Sequence, residues 1–104
     1  MPGPYIYIWE YTVREEHVQQ FVTTYGPDGD WVRLFREASG YVGTELLRDR
    51  ENPNRFVTID RWESHESFER FRTDKSMEYE ALDARCDRLT LEERQIGVFG
   101  GCEH

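Results

Sequence analysis

An aspartate and a tryptophan two residues apart stand in the part of this sequence best suited to chemistry, the stretch from Arg55 to Phe71. The run Phe56 to Trp62 is rich in β-branched and aromatic residues, which predicts a strand. Side chains alternate across a strand, so Asp60 and Trp62 share one face. A carboxylate set among apolar rings has a raised pKa, and this would suit Asp60 to act as a general base.

Two interpretations of Asp60 stay open at the level of the sequence. It is either a catalytic base, or the structural ion-pair partner of an arginine such as Arg48 on the neighbouring strand, and structural pairs are the commoner case. His65 is the second residue that could move a proton near neutral pH. It falls in the first turn of a predicted helix, where surface positions predominate. The candidate catalytic residues are therefore Asp60 and His65.

Aromatic side chains supply the second ingredient of a binding site. They make up 14% of the chain, an excess that needs a core, a pocket or an interface. Alternation places every second residue from Tyr5 to Val13 on one strand face, as a wall of rings. The wall either packs as ordinary core or lines a flat cleft for a planar ligand. The second hypothesis makes the following residues candidates for substrate binding: Tyr7, Trp9, Trp31, Phe35, Trp62, Phe68, Phe71 and Tyr79.

Several other kinds of site are not expected from the sequence. The histidines and cysteines, at positions 17, 65, 104, 86 and 102, follow no spacing typical of a metal centre, so no metal is predicted. A glycine-rich phosphate loop and a nucleophile elbow are also missing from the sequence. The formal charge of −8 repels phosphate backbones and anionic lipids, so we expect neither nucleic acid nor a membrane as partner.

The expected location is the cytoplasm. No apolar run approaches the ~18 residues that a membrane span needs. The start Met-Pro-Gly-Pro-Tyr lacks the features of a signal peptide. Cys86 and Cys102 do not form the disulfide framework of a small secreted domain.

The order of predicted elements indicates an α+β fold. Strands are expected at 5–13, 41–48, 56–62 and 92–99. Helices are expected at 14–25, from about 30 to 38, and between 64 and 89 with a break at 73–76. This order is the ferredoxin-like split βαβ arrangement, with one antiparallel sheet. Residues 1–104 are treated as a single domain, with a structured core at 5–99 and a C-terminal tail at 100–104.

One face of such a sheet has no helix to cover it. Ile6, Ile8, Val57 and Ile59 would form an apolar patch on that face, larger than soluble monomers usually expose. A second copy of the same sheet would cover the patch. The sequence therefore predicts a two-fold homodimer built sheet to sheet.

The sequence resembles the antibiotic biosynthesis monooxygenase (ABM) family over nearly the whole chain. The resemblance rests on a strand that ends in Asp-x-Trp-Glu-Ser, followed by a helix containing x-x-Phe-x-x-Phe, at residues 60–71. It also rests on the run Trp-x-x-Leu-Phe-x-x-x-x-Gly-Tyr at 31–41. It implies a dimeric α+β barrel that oxygenates a small phenolic, quinol or polyketide-like aromatic substrate with no cofactor, neither metal nor flavin.

Five positions show how many of the family's site residues this chain shares. The family's acidic-x-aromatic pair at the end of the third strand corresponds to Asp60 and Trp62. Many members carry a histidine in the next helix where this chain has Phe71, which argues against a mechanism pairing a carboxylate with that histidine. The haem-degrading branch uses an asparagine and a histidine at positions that here hold Trp9 and about Ala81, so haem is not expected.

The alternative to an enzyme is a non-catalytic, small-molecule-binding or stress-associated dimeric domain that uses the same cleft. A cleft filled by its own aromatic side chains would favour this alternative. An open cleft beside an unpaired Asp60 would favour the enzyme.

Overall fold

The computed structural model describes residues 3–102 as one four-stranded antiparallel sheet packed against helices. The strands are β1 (Tyr5–Val13), β2 (Tyr41–Arg48), β3 (Arg55–Trp62) and β4 (Thr90–Gly100), in the spatial order β2-β3-β1-β4. The helices are α1 (Val18–Tyr25), α2 (Asp30–Phe35), α3 (His65–Asp74) and α4 (Ser76–Cys86). Short 3₁₀ turns at Glu15–His17 and Asp87–Leu89 precede α1 and β4. The predicted α+β, ferredoxin-like fold is confirmed.

Strand β3 behaves as its alternating sequence predicts. Phe56, Thr58, Asp60 and Trp62 are all buried on the side of the helices, whereas the residues between them are half-buried on the other side. The strand pairing places Asp60 between Tyr7 on β1 and Thr44 on β2. A row of polar side chains therefore crosses the centre of the sheet on its helical face.

The turn after β3 fixes the start of α3. The Ser64 hydroxyl oxygen accepts a hydrogen bond of 3.1 Å from the Ser67 backbone N–H, and this caps the helix as the sequence predicts. Nearby, Gly40 has a φ of 95°, and a Cβ at this position would collide with the Ser67 side chain. The Gly40 carbonyl accepts a 2.7 Å bond from the Glu63 N–H, which joins the start of β2 to the end of β3.

Trp62 lies at the centre of the packed core. Its side chain is 0% exposed, and its ring centroid is 5.1 Å from that of Phe71 and 5.6 Å from that of Phe35. Its indole N–H donates a 3.3 Å hydrogen bond to the Tyr7 hydroxyl. The polar atom of the indole is therefore satisfied while the ring fills the space between sheet and helices.

The opposite face of the sheet carries the predicted apolar patch. Ile6, Ile8, Val57 and Ile59 are half-buried there. Register adds Leu47 beside Val57 and Phe99 beside Ile6, and each of these two is 47% exposed. Within residues 3–102, no helix is long and apolar enough to cross a membrane. The predicted tail begins inside β4, which ends at Gly100, and the last two residues of that tail lie outside the described range.

Replacing Trp62 with alanine is expected to lower the free energy of unfolding by about 3–5 kcal/mol, because it leaves a large cavity in a closed core. Urea denaturation monitored by far-ultraviolet circular dichroism measures this loss. Met77→Ala is the matched control, since Met77 is 81% exposed on α4 and its truncation should change stability by less than about 0.5 kcal/mol. A loss below about 1 kcal/mol for Trp62→Ala would contradict the core role.

Candidate active site

A cavity of about 220 Å³ lies between the helical face of the sheet and the helices. Its deep part is formed by strands β1, β2 and β3, and its sides by α1, α2 and α4. The residues that line it are Tyr7, Trp9, Tyr11, Tyr25, Trp31, Phe35, Thr44, Thr58, Asp60, Tyr79, Asp83, Asp87 and Glu93. The cleft is thus only partly filled by its own aromatic side chains.

The cavity brings together six of the ten candidate residues named from the sequence. These six are Asp60, Tyr7, Trp9, Trp31, Phe35 and Tyr79. Trp62, Phe68 and Phe71 do not line it. Trp62 and Phe71 are buried in the adjoining core, and the Phe68 ring lies 5.1 Å from that of Tyr7. The Trp62 side chain shares the strand face of Asp60, as expected, but it closes the cleft at this end instead of bordering the free space.

His65 lies apart from the cavity. Its side chain is 58% exposed, and its Nε2 atom is 3.5 Å from Glu69 Oε2 one helical turn later. Its ring centroid is 4.7 Å from that of Tyr5. The first turn of α3 therefore places this imidazole on the solvent side of the aromatic residues of β1.

Asp60 is 5% exposed, and its carboxylate is held by a hydroxyl group instead of a cation. The Thr44 hydroxyl donates a 2.5 Å hydrogen bond to Asp60 Oδ1, and the Tyr41 hydroxyl lies 2.6 Å from the same Thr44 oxygen. None of the ion pairs found in residues 3–102 includes Asp60. The Arg48 Nε–H instead donates to the Pro53 carbonyl at 2.7 Å. The ion pair between Asp60 and Arg48, which the structural interpretation of Asp60 allowed, is not formed.

Burial raises the pKa of Asp60 to about 6, although the hydrogen bond from Thr44 acts in the opposite direction. The pKa values of the neighbouring phenols are shifted further from neutral pH. Burial, and to a smaller extent the charge of Asp60, raises the pKa of Tyr7 well above its ordinary value. Burial does the same to the pKa of Tyr11, whose hydroxyl lies 3.0 Å from Thr58 Oγ1. In the deep part of the cavity, Asp60 is therefore the group that can take up and release a proton near pH 6.

Three further carboxylates, Asp83, Asp87 and Glu93, line the outer part of the cavity, which we call the acidic mouth. All three residues are exposed. The Thr90 hydroxyl donates a 3.0 Å hydrogen bond to Glu93 Oε2. Desolvation of the carboxylate raises the pKa of Glu93 even though the residue as a whole is exposed, and Asp83 and Asp87 add to the effect by repulsion. Among residues 3–102, no lysine, arginine or histidine lines the cavity.

A metal centre has no support in the part of the chain that the structure describes. No group of three or more histidine, cysteine, aspartate or glutamate side chains is placed there to hold an ion. The four cavity carboxylates are thus spread from the depth to the mouth and do not converge on one point.

Sequence reasoning missed Thr44 and the acidic mouth. Thr44 could have been predicted, because the short hairpin connection after Arg48 sets the register of β2 on β3 to within about one residue. The acidic mouth could not, because its members come from α4, a 3₁₀ turn and β4, and only the tertiary fold brings them together.

The fold and the site define a small α+β domain with an aromatic cavity between sheet and helices. The profile of the antibiotic biosynthesis monooxygenase family matches residues 4–79, and the chain belongs to this family. Among curated proteins, no relative matches the sequence.

Solved structures show the same fold at low sequence identity. SnoaB from Streptomyces nogalater, a cofactor-independent oxygenase, superposes with a TM-score of 0.69 at 23% identity, covering 98% of this chain and 96% of that chain. An antibiotic biosynthesis monooxygenase homologue from Bordetella bronchiseptica gives 0.72 at 18% identity, with coverages of 97% and 99%. Rv0793 from Mycobacterium tuberculosis gives 0.72 at 14% identity, with coverages of 98% and 98%.

The raised pKa of Asp60 should appear in the pH dependence of stability. Folding favours the protonated Asp60 carboxyl. The stabilisation that results is fully present below the pKa of this group in the unfolded chain, near 3.8, and is lost as pH rises through about 6. Between pH 4 and 7 the free energy of unfolding should therefore fall by up to roughly 3 kcal/mol relative to Asp60→Asn. Chemical denaturation of both proteins across this range measures the difference.

Thr44→Val is the companion variant in this measurement. It removes the hydrogen bond that favours ionised Asp60, so the loss of stability should become larger and should extend to higher pH. A difference between the unmodified protein and Asp60→Asn that stays constant from pH 4 to 7 would contradict the buried titration.

Proposed function

We propose that the protein is a cofactor-independent monooxygenase of the ABM type that acts on a small phenolic or quinol-like aromatic substrate. The observation that carries the proposal is a buried carboxylate, Asp60, which has no counter-ion among the described residues and borders an aromatic-lined cavity. The cavity volume of about 220 Å³ is below the ~300–1,000 Å³ typical of drug-sized sites. It therefore favours a substrate of one or two rings.

The proposed chemistry begins with a proton transfer. Asp60 removes the phenolic proton, and the electron-rich phenolate then transfers one electron to O₂. The superoxide and the substrate radical combine at a ring carbon that bears hydrogen. The resulting peroxide anion takes the proton back from Asp60 and then loses water to give a quinone. One oxygen atom enters the ring and the other leaves as water. The substrate supplies all four electrons that O₂ accepts, so the reaction needs no external reductant.

The residues around Asp60 would assist without reacting. Thr44 and Tyr41 orient the carboxylate by the short hydrogen bonds of 2.5 and 2.6 Å. The surrounding rings limit the access of water, which raises the pKa of the Asp60 carboxyl and protects the radical pair once it has formed. A base with a pKa near 6 is ionised at neutral pH and still accepts a proton readily.

Asp60→Asn is expected to lower kcat by about 10²–10⁴ and to leave substrate binding largely unchanged, because the amide fills the same space but accepts no proton. Oxygen uptake with a panel of hydroquinones, naphthols and anthrones measures the rate, and a chelator is present throughout. The activity of the unmodified protein should rise with pH through about 6. The matched control is Asp74→Asn at the end of α3, where Asp74 is exposed.

Each outcome of the assay separates the alternatives. Uptake that the chelator abolishes would contradict the metal-free scheme. Uptake that persists unchanged in Asp60→Asn would remove Asp60 from the mechanism and direct attention to Tyr7 or His65. Binding of the panel without any uptake would favour the non-catalytic, small-molecule-binding interpretation.

A homodimer forms part of the proposal. The apolar patch on the sheet face opposite the helices supports it, because this patch has no cover within the described chain. Charged pairs flank the patch: Glu10 binds Arg55 at 2.6 Å and Arg94 at 2.8 Å, and Arg61 binds Glu45 at 2.6 Å. A polar rim around an apolar centre is typical of protein interfaces.

Ile59→Asp is expected to dissociate or unfold the protein, since it places a charge in the centre of the patch. Light scattering at micromolar concentration should give twice the chain mass of 12.5 kDa for the unmodified protein. Met77→Asp, on the exposed surface of α4, is the control and should keep the dimer mass. A monomer mass for the unmodified protein would end the dimer proposal.

A further inference from the structure

We propose that the cavity selects aromatic ligands that carry a protonated amine, with the ammonium group held at the acidic mouth and the ring inside. This inference rests on the proposed function, because it names the substrate class of the same site. It goes further in assigning a role to Asp83, Asp87 and Glu93.

The charge of the cavity wall is the first observation. Four carboxylates line a space of about 220 Å³, and no basic side chain from the described part of the chain lines it. None of the ion pairs found in residues 3–102 includes Asp60, Asp83, Asp87 or Glu93. A carboxylate, sulfate or phosphate on the ligand would be repelled by these carboxylates. A cation would relieve the mutual repulsion of the mouth.

Asp60 provides the second, independent observation. It is only 5% exposed, it borders the cavity, and among the described residues only a neutral hydroxyl meets its charge. A buried carboxylate in this setting favours a further hydrogen-bond donor, which the hydroxyl of a ligand ring would supply, and it repels an anionic group. Asp60 therefore places the ring end of the ligand inside the cavity, and the ammonium preference itself comes from the mouth.

The aromatic wall is the third observation. Trp9, Trp31 and Tyr79 line the cavity, and the faces of such rings attract cations. Tyr79 already displays this behaviour, because the Arg72 guanidinium lies 3.9 Å from its ring centroid although Arg72 does not line the cavity. Rings and carboxylates together form the environment that recognises organic ammonium groups.

The spacing of the carboxylates favours an organic cation over a metal ion. The described residues contain no three-ligand group that could hold a metal, so the acidic groups do not share one coordination point.

Three phenols of similar shape test the inference: tyramine, 2-(4-hydroxyphenyl)ethanol and 4-hydroxyphenylacetate, which are cationic, neutral and anionic at pH 7.5. Titration calorimetry at low ionic strength should give a Kd for tyramine about tenfold below that of the neutral alcohol, and the weakest binding for the anion. Raising the salt concentration to about 0.5 M should weaken tyramine binding and leave the alcohol unaffected.

The triple variant Asp83→Asn, Asp87→Asn and Glu93→Gln should bring the tyramine and alcohol constants to within about twofold of each other, while the Kd of the alcohol stays the same. The control triple Glu16→Gln, Glu51→Gln and Glu66→Gln changes the net charge equally at exposed positions outside the cavity lining. It should keep the preference. If the first triple does not fold, the salt titration on the unmodified protein tests the same electrostatic preference without it.

Equal affinity for tyramine and the alcohol, or a preference that survives in the mouth variant, would overturn the inference. So would the absence of binding by all three phenols. Equal binding together with oxygen uptake on the wider panel would leave the proposed function intact. A clear ammonium preference without oxygen uptake with any phenol would support the proposed ligand class and contradict the proposed oxygenase activity.

Discussion

The burial of one carboxylate at the centre of the sheet is the constraint on which the site depends. An ionised aspartate in apolar surroundings is costly unless a donor or a cation meets it. Here the donor is Thr44, whose hydroxyl oxygen in turn lies against that of Tyr41. Both come from the strand paired with β3, so strand register positions the group, and it does not depend on a mobile loop. The hydroxyl offsets only part of the cost, and the remainder keeps the pKa of Asp60 near 6.

The same constraint explains why the cleft is divided into a packed part and an open part. Around Trp62, rings from α2 and α3 fill the space, and the indole finds its acceptor in Tyr7. Tyr7 also borders the cavity, so it forms the boundary between the two parts. If rings filled the open part as well, the Asp60 carboxylate would lose contact with any ligand or water. An open cavity beside the carboxylate is thus consistent with a polar group that needs access.

The sequence predicts most of the fold because each local signal agrees with the tertiary structure. Alternation along β3 and the Ser64 cap are local, and both are confirmed. The division of the aromatic residues is not local: Trp62 and Trp9 follow the same alternation rule, yet one is fully buried and the other borders the cavity. Which ring fills space depends on where α2 and α3 lie above the sheet. The orientation of His65 depends similarly on the helical phase set by the cap.

A base and a cation site can coexist in one cavity only if they are separated in depth. A positive charge beside Asp60 would lower the pKa of its carboxyl and weaken it as a base. The buried aspartate lies on the inner strand β3, whereas Asp83 and Asp87 are exposed at the end of α4 and in the turn that follows. Water screens a cation at the mouth, so its effect on Asp60 is small there. An ammonium group on a short chain therefore suits the site, and one attached directly to the ring does not.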